Sequence, residues 1–211
     1  MLFRSDEQST QKKILSVAKK EFLRNGFLNA SLRNIAKNAG VTTGALYRYY
    51  TSKEDLFEAL VSEPAEHVLH MFTDTVDDFE KLSGREQTKQ MKETSTVCIM
   101  DMLDYIYDNY DSFKLLIQCS EGTSYGNFIH QMVEREVNST YSYIEVLQSM
   151  GHKVEPINKD LCHIIASGMF TGLFETIVHD MKKQDAKIYV SQMRKFYTAG
   201  WSELLGVKFG E

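Results

Sequence analysis

Residues 31–55 read SLRNIAKNAGVTTGALYRYYTSKED, and this run decides the fold. Ser31 has the side chain of a helix N-cap, and Leu32, Ile35, Ala36 and Ala39 follow at the spacing of one apolar helical face. Gly40 then supplies a residue that enters the left-handed region and turns the chain sharply. Thr42 caps a second short helix, within which Ala45 and Leu46 point inward. Two short helices, a tight glycine turn and the small Ala36 at their crossing make a helix-turn-helix. Its second helix presents Thr42, Thr43, Gly44, Tyr47 and Arg48 outward. That face is small, hydroxylated, aromatic and basic, which suits the floor and walls of a DNA major groove.

The wider run 14–60 carries Ala18, Phe22, Gly26 and Phe27 in a leading helix, then Ile35-Ala36 and Ala39-Gly40-Val41. Gly44-x-Leu46-Tyr47-x-Tyr49-Tyr50 and Lys53-Glu54-x-Leu56 complete it. This order of residues resembles the N-terminal domain of TetR-type transcriptional regulators. Tyr49-Tyr50 stands where that family more often has His-Phe or Tyr-Phe, and Thr51 where Pro is frequent. The resemblance implies an all-α fold with an N-terminal three-helix DNA-binding domain, joined to a C-terminal helical bundle that binds ligand and dimerises. It implies a sequence-specific regulator, more often a repressor, released from a near-palindromic operator by a small-molecule effector. It also implies phosphate contacts from Ser31, Tyr47, Tyr49 and Lys53. Thr42, Thr43 and Arg48 are placed for base edges or flanking phosphates, and Arg33 for the DNA backbone. Lys53 has a physical argument of its own. It falls in the first turn of the next helix, where the positive end of the helix dipole disfavours a cation and a bound phosphate would satisfy both.

Charge agrees with this division. Residues 1–55 hold ten Lys/Arg against five Asp/Glu, whereas residues 56–211 hold fourteen against twenty-four. A basic head on an acidic body is the layout expected if only the head meets phosphate. The expected domains are therefore 1–55 for DNA binding and 56–211 for effector binding and dimerisation. Cys98, Cys119 and Cys162 are an odd, scattered set, which points to a reducing cytoplasm rather than a disulfide framework. The polar start MLFRSDEQSTQKK lacks the apolar region of a signal peptide, and no run of about 18 uncharged apolar residues predicts a membrane span.

Two prolines and abundant Lys, Glu, Leu and Met predict helices throughout. A first helix is expected over 6–25 with Gly26 as its stop, and the helix-turn-helix over 31–50. Thr51 is expected as N-cap of a fourth helix with Glu54 closing a capping box, and Pro64 to kink or break that helix. Further helices are expected over 85–109, after Asp111, and over 124–150, 158–181 and 186–205.

In the body, Met100, Met102, Phe113, Phe170 and Phe174 offer an adaptable apolar lining for an effector. Asp101, Tyr105, His130, Glu134, His163 and Glu175 offer polar anchors, and the acidic ones favour a cationic or amphipathic ligand. His130 and Glu134 lie at i, i+4, a spacing compatible with metal ligation, but one pair does not make a metal site and none is expected. Gly168, Gly172, Met193, Phe196, Tyr197 and Trp201 of the last two helices are expected at a symmetric four-helix dimer interface. An enzyme using the body's His and acidic residues is the alternative, as is a helical binding module that does not bind DNA. No phosphate loop or nucleophile elbow supports an enzyme, and no cofactor is expected.

Overall fold

The computed structural model describes residues 2–209, with residues 2–6 described by backbone alone. Among the described residues the secondary structure is nine α-helices and one short 3-10 turn, with no strand. The helices are α1 (Leu2–Asn29), α2 (Leu32–Ala39), α3 (Thr43–Tyr49), α4 (Lys53–Glu80) and α5 (Gly84–Asp108). They continue with α6 (Tyr110–Gln118), α7 (Phe128–Ser149), α8 (Lys159–Val178) and α9 (Lys183–Leu205). The 3-10 turn, Ser124–Asn127, takes the residues expected to begin α7.

Local signals set most of the boundaries. Gly26 has φ 70° and ψ 170°, a region open only to glycine, and it breaks α1 as expected. The Phe27 N–H released there donates to the Cys119 carbonyl at 3.1 Å. Gly40 is left-handed at φ 71°, and its N–H reaches the Lys37 carbonyl while that of Val41 reaches Ala36. Those two bonds are the Schellman closure of a helix end. The cap of α4 lies one residue later than expected. Ser52 Oγ accepts the Asp55 N–H at 2.9 Å, while Asp55 accepts the Thr51 N–H at 2.8 Å and its hydroxyl at 3.1 Å. Asp55 has the shorter side chain and reaches back where Glu54 was expected to. Nor does Pro64 break α4: the helix runs through it to Glu80, with helix on both sides of the missing amide donor.

The chain divides into two compact units. The first takes the described residues up to Glu66 together with Asn109–Gly126, so it holds α1, α2, α3, α6 and the start of α4. The second takes His67–Asp108 and the residues from Asn127 onward. This division departs from a boundary at residues 55/56 because α6 belongs with α1, where Lys19 meets Asp111 at 2.6 Å.

The first unit has a close-packed core. Ile14, Ala18, Phe22, Ile35, Ala36, Leu46, Leu56, Phe57, Phe113 and Leu115 are all buried. Phe22, Phe27 and Phe57 form a ring trio with centroids 5.2, 5.5 and 6.0 Å apart. Each such ring contributes roughly 1.5–3 kcal/mol by leaving water. In the second unit, Phe79, Tyr143, Ile144, Leu147, Val154, Leu205 and Val207 make one buried cluster. Helix α8 is long and apolar enough to cross a membrane, with a mean hydropathy of 1.5. Here it buries Cys162, Ala166, Phe170, Leu173, Phe174 and Ile177 and packs on α7 and α9, as the core helix of a helical bundle does.

Candidate nucleic-acid interface and interior cavity

The outer face of α2 and α3 is positioned by caps and by the core beneath it. Ser31 Oγ accepts the Asn34 N–H at 3.4 Å, and the Ser31 N–H donates to the buried carboxylate of Glu21 at 3.0 Å. Thr42 Oγ1 accepts the Ala45 N–H at 3.1 Å. Both hydroxyls are committed as acceptors and keep a proton to donate outward. Leu46 and Tyr50 are buried, and this turns Thr42, Gly44, Tyr47 and Arg48 to the surface with Thr43 and Tyr49 half-buried beside them. Tyr47 is 49% exposed although its ring is largely apolar. Arg33 is exposed on α2.

Gly44 is informative because nothing inside the chain requires it. It sits within α3, and a β-carbon added there meets no atom within 4 Å. A helical glycine gives up roughly 0.5–1 kcal/mol relative to alanine, so the bare backbone at this surface suits a close approach from outside.

Lys53 is already held within the chain. Its ammonium donates to the carbonyls of Leu28 at 2.9 Å and Ala30 at 3.4 Å, and it lies 4.6 Å from the centre of the Phe27 ring. These contacts answer the unfavourable helix dipole from within the chain and leave one of three N–H donors for an outside anion.

The second unit holds a half-open cavity of about 170 Å³. Its wall is mostly aromatic and aliphatic, with Phe72, Ile99, Met102, Phe170, Tyr197 and Trp201 among the lining residues. Glu136 and Arg194 also line it. Arg194 donates to the Lys92 carbonyl and to Ser95 Oγ, each at 3.2 Å, and burial lowers the pKa of its guanidinium. Glu136 has no hydrogen-bond partner among the described residues. The side-chain surface it keeps faces this cavity, and burial pushes its carboxyl up to about 7 against a small opposing pull from Arg135. Arg135 itself is held elsewhere, at 2.6 Å from Asp77 and 3.1 Å from Glu80.

Of the residues expected to hold an effector, Met102 and Phe170 line this cavity, Phe170 edge-on against Phe72 at 5.1 Å. Phe113 is core of the first unit, and Phe174 is buried against Phe128. Tyr105 stacks on His67, Asp101 is exposed on a shallow groove beside Val97, and Met100 is half-buried outside the cavity. Glu175 has its partner in His179 at 2.9 Å. His130, Glu134 and His163 come together, but on the surface.

The residues expected at a dimer interface are largely occupied within the chain. A β-carbon at Gly168 would lie 2.9 Å from the Tyr197 hydroxyl, and one at Gly172 would lie 2.8 Å from Met193 Sδ. Those glycines let α9 approach α8 of the same chain, while Tyr197 and Trp201 face the cavity. Phe196 is the exception, 75% exposed.

The missed cavity residues left a mark in the sequence. Met132, Val133, Val137, Tyr143 and Ile144 define the buried stripe of α7, and Glu136 falls inside it. Arg194 likewise interrupts the stripe of Val190, Tyr197, Trp201 and Leu205 on α9. A charge on the apolar side of a helix was the available signal.

Among the described residues the chain is all-helical, with a helix-turn-helix in the first unit and a cavity in the second. Residues 14–60 match the family of bacterial regulatory proteins of the tetR type. UidR, a helix-turn-helix transcriptional regulator of Escherichia coli K12, is 33% identical over 73 residues, 35% of this chain and 37% of UidR. The match thus spans little more than a third of that relative's length. SrpR, a helix-turn-helix transcriptional regulator of Pseudomonas putida, is 26% identical over 200 residues, 92% of this chain and 86% of SrpR. A TetR-like regulator from Rhodococcus sp. RHA1 shares the fold with a TM-score of 0.56, 20% identity, and coverage of 92% and 95% of the two chains. FadR of Bacillus subtilis, solved with stearoyl-CoA, aligns with a TM-score of 0.54, 19% identity, and coverage of 90% and 98%. Residues 14–60 thus match the tetR-type DNA-binding domain, and most of the chain's length is similar to helix-turn-helix transcriptional regulators.

Proposed function

We propose that this protein is a cytoplasmic, homodimeric, sequence-specific DNA-binding repressor, released from its operator by a small molecule held in the cavity of the second unit. The observation that carries the reading is the outward face of α3: Thr43, Gly44, Tyr47 and Arg48 on a short helix with nothing of the chain in front of Gly44. In this reading α3 enters the major groove, Arg48 reads a base edge, and Ser31, Arg33, Thr42, Tyr49 and the remaining donor of Lys53 meet phosphates.

A dimer is supported by apolar surface on α8 and α9. Leu161 and Ile164 are 42% and 65% exposed, and Ile188 and Phe196 are 57% and 75% exposed. Two such pairs facing across a two-fold axis would make a four-helix interface, with Phe196 at its centre and Gly168 and Gly172 occupied behind it. That arrangement places two heads on one near-palindromic site. An effector lowers DNA affinity only by binding one arrangement of the dimer better than another.

The cavity supports a compact effector. About 170 Å³ is close to the roughly 150 Å³ that holds a benzene molecule, so a single-ring or branched aliphatic compound is the right size. Glu136 supplies an unpartnered carboxyl and the aromatics supply ring faces, a setting for an ammonium group on an apolar body.

Selection of bound sequences from a random duplex pool tests the reading. Near-palindromic sites, bound with an affinity that falls steeply with salt, are expected. A pool that stays random, or binding indifferent to salt, would remove the DNA-binding assignment.

A further inference from the structure

We propose that His130, Glu134 and His163 form a surface site for a divalent transition-metal ion, one that joins α7 to α8. The three residues offer two imidazole nitrogens and one carboxylate oxygen, all within 4.8 Å of one another. His163 Nδ1 lies 3.2 Å from Glu134 Oε1, and His130 Nε2 lies 3.9 Å from the same oxygen. Metal–ligand bonds of about 2.0–2.2 Å at tetrahedral angles put neighbouring donor atoms roughly 3.3–3.5 Å apart. One of the three edges is already in place, a second closes by about half an ångström, and the third, between the two imidazole nitrogens, starts within 4.8 Å, so side-chain rotation can bring the set together.

The scaffold is suited to holding this geometry. His130 and Glu134 are one turn apart on α7, so their side chains leave the same face. His163 comes from α8, which packs directly on α7, and the two imidazoles sit with ring centroids 5.7 Å apart at 60°. Arg135 points away to Asp77 and Glu80, so the cation next in sequence does not compete for Glu134. All three ligands are open to solvent, with side chains 58%, 47% and 38% exposed. An ion has a path in and room for water on its remaining coordination positions.

The donor set selects the class of ion. Two imidazoles and one carboxylate favour Zn²⁺, Co²⁺, Ni²⁺ or Cu²⁺. A single anionic oxygen is too few for Ca²⁺ or Mg²⁺, which take six or more oxygens with water included. Each neutral imidazole gives the ion the lone pair of one ring nitrogen and keeps its single proton on the other. The site lies outside the cavity and does not depend on the DNA-binding reading.

The test is calorimetric titration of the full chain, with any affinity tag removed, using ZnCl₂ and separately CoCl₂ and MgCl₂. One Zn²⁺ per chain is expected, no heat with Mg²⁺, a raised thermal midpoint with Zn²⁺, and the strong visible absorption of low-coordinate Co²⁺. Because the side chains are exposed, His163→Ala and Glu134→Gln should fold normally by circular dichroism and melt like the parent without metal. Each should weaken Zn²⁺ binding at least tenfold. Absence of stoichiometric binding overturns the proposal. So does binding that survives His163→Ala with Glu134→Gln, or that is lost instead when Cys98 is replaced by serine.

Discussion

The outer face of α3 and the inner wall of the cavity are both made by short apolar stripes with a few polar side chains among them. They differ in which way the polar groups turn. On α3, Leu46 anchors the helix and every polar residue of interest faces out, so helical spacing alone separates core from interface. In the second unit Glu136 and Arg194 sit on the buried stripes themselves, next to Tyr143 and Tyr197. A surface site obeys the rule that apolar residues go inside, and an interior site has to violate it. The polar groups that break the helical pattern are therefore the better guide to an interior site than the aromatic residues that follow it.

The largest effect that sharpens this contrast is on packing. Phe57 is fully buried in the ring trio of the first unit, and Phe57→Ala should destabilise the protein by about 3–5 kcal/mol. Trp201 is half-buried at the cavity wall, and Trp201→Ala should cost less than half as much despite removing a larger ring. Urea unfolding of both variants settles it. Equal losses would mean that the cavity wall is packed as tightly as the first unit.

Next in size is the pH dependence of Glu136. Its folded pKa of about 7 lies above the ordinary 4.5 of a glutamate, so the folded protein binds this proton more tightly than the unfolded chain does. Its contribution is most favourable below about pH 4.5, and it is lost as pH rises to about 7 and beyond. The full span is on the order of 3 kcal/mol. Glu136→Gln should therefore match the parent near pH 4.5 and exceed it at pH 8 by up to that amount. The same variant should lose its response to any amine that releases the parent from DNA. A stability difference that does not change with pH would place the carboxyl in water rather than against the cavity.

Much of the fold was legible because its signals are local. Ser31, Gly40 and Thr42 act through hydrogen bonds within four residues along the chain, and Gly26 through its own backbone angles. The helices of the second unit were legible for the same reason. What those helices pack against was not. Gly168 and Gly172 have the spacing of a close helix contact, but spacing does not say whether the approaching helix is α9 of the same chain or one from a partner. Phe113 reads as a ligand-lining aromatic until α6 is placed with α1. Lys53 reads as a phosphate contact alone until the turn after Gly26 brings the carbonyls of Leu28 and Ala30 to its ammonium. Each miss is a contact between residues distant in sequence.

On the α3 side, Arg48→Ala should reduce discrimination between operator and mutated operator by about 1–3 kcal/mol if the guanidinium reads a base pair. Melting should be unchanged, since Arg48 is exposed. Lys53→Ala should behave differently and lower both the salt slope of DNA binding, by about one unit, and thermal stability, because its ammonium also braces the turn before α2. Competition assays at three salt concentrations separate the two. If Lys53→Ala melts like the parent, the brace contributes nothing to folding and the lysine is an interface residue alone.

The smallest effect is the most discriminating. Gly44 lies inside α3 with no atom of the chain within 4 Å of where a β-carbon would stand. Gly44→Ala therefore removes the entropic penalty of a helical glycine without a clash, and the isolated protein should gain roughly 0.5–1 kcal/mol of stability. If α3 lies against the groove, the added methyl meets DNA, and operator affinity should fall while the protein itself becomes harder to unfold. Opposite signs in the two measurements are the expected result, because a surface glycine kept for close approach to a partner carries that signature. A stability gain with unchanged DNA affinity would mean that Gly44 faces open water in the complex. In that case α3 sits in the groove on its Tyr47 and Arg48 edge, with Gly44 turned away.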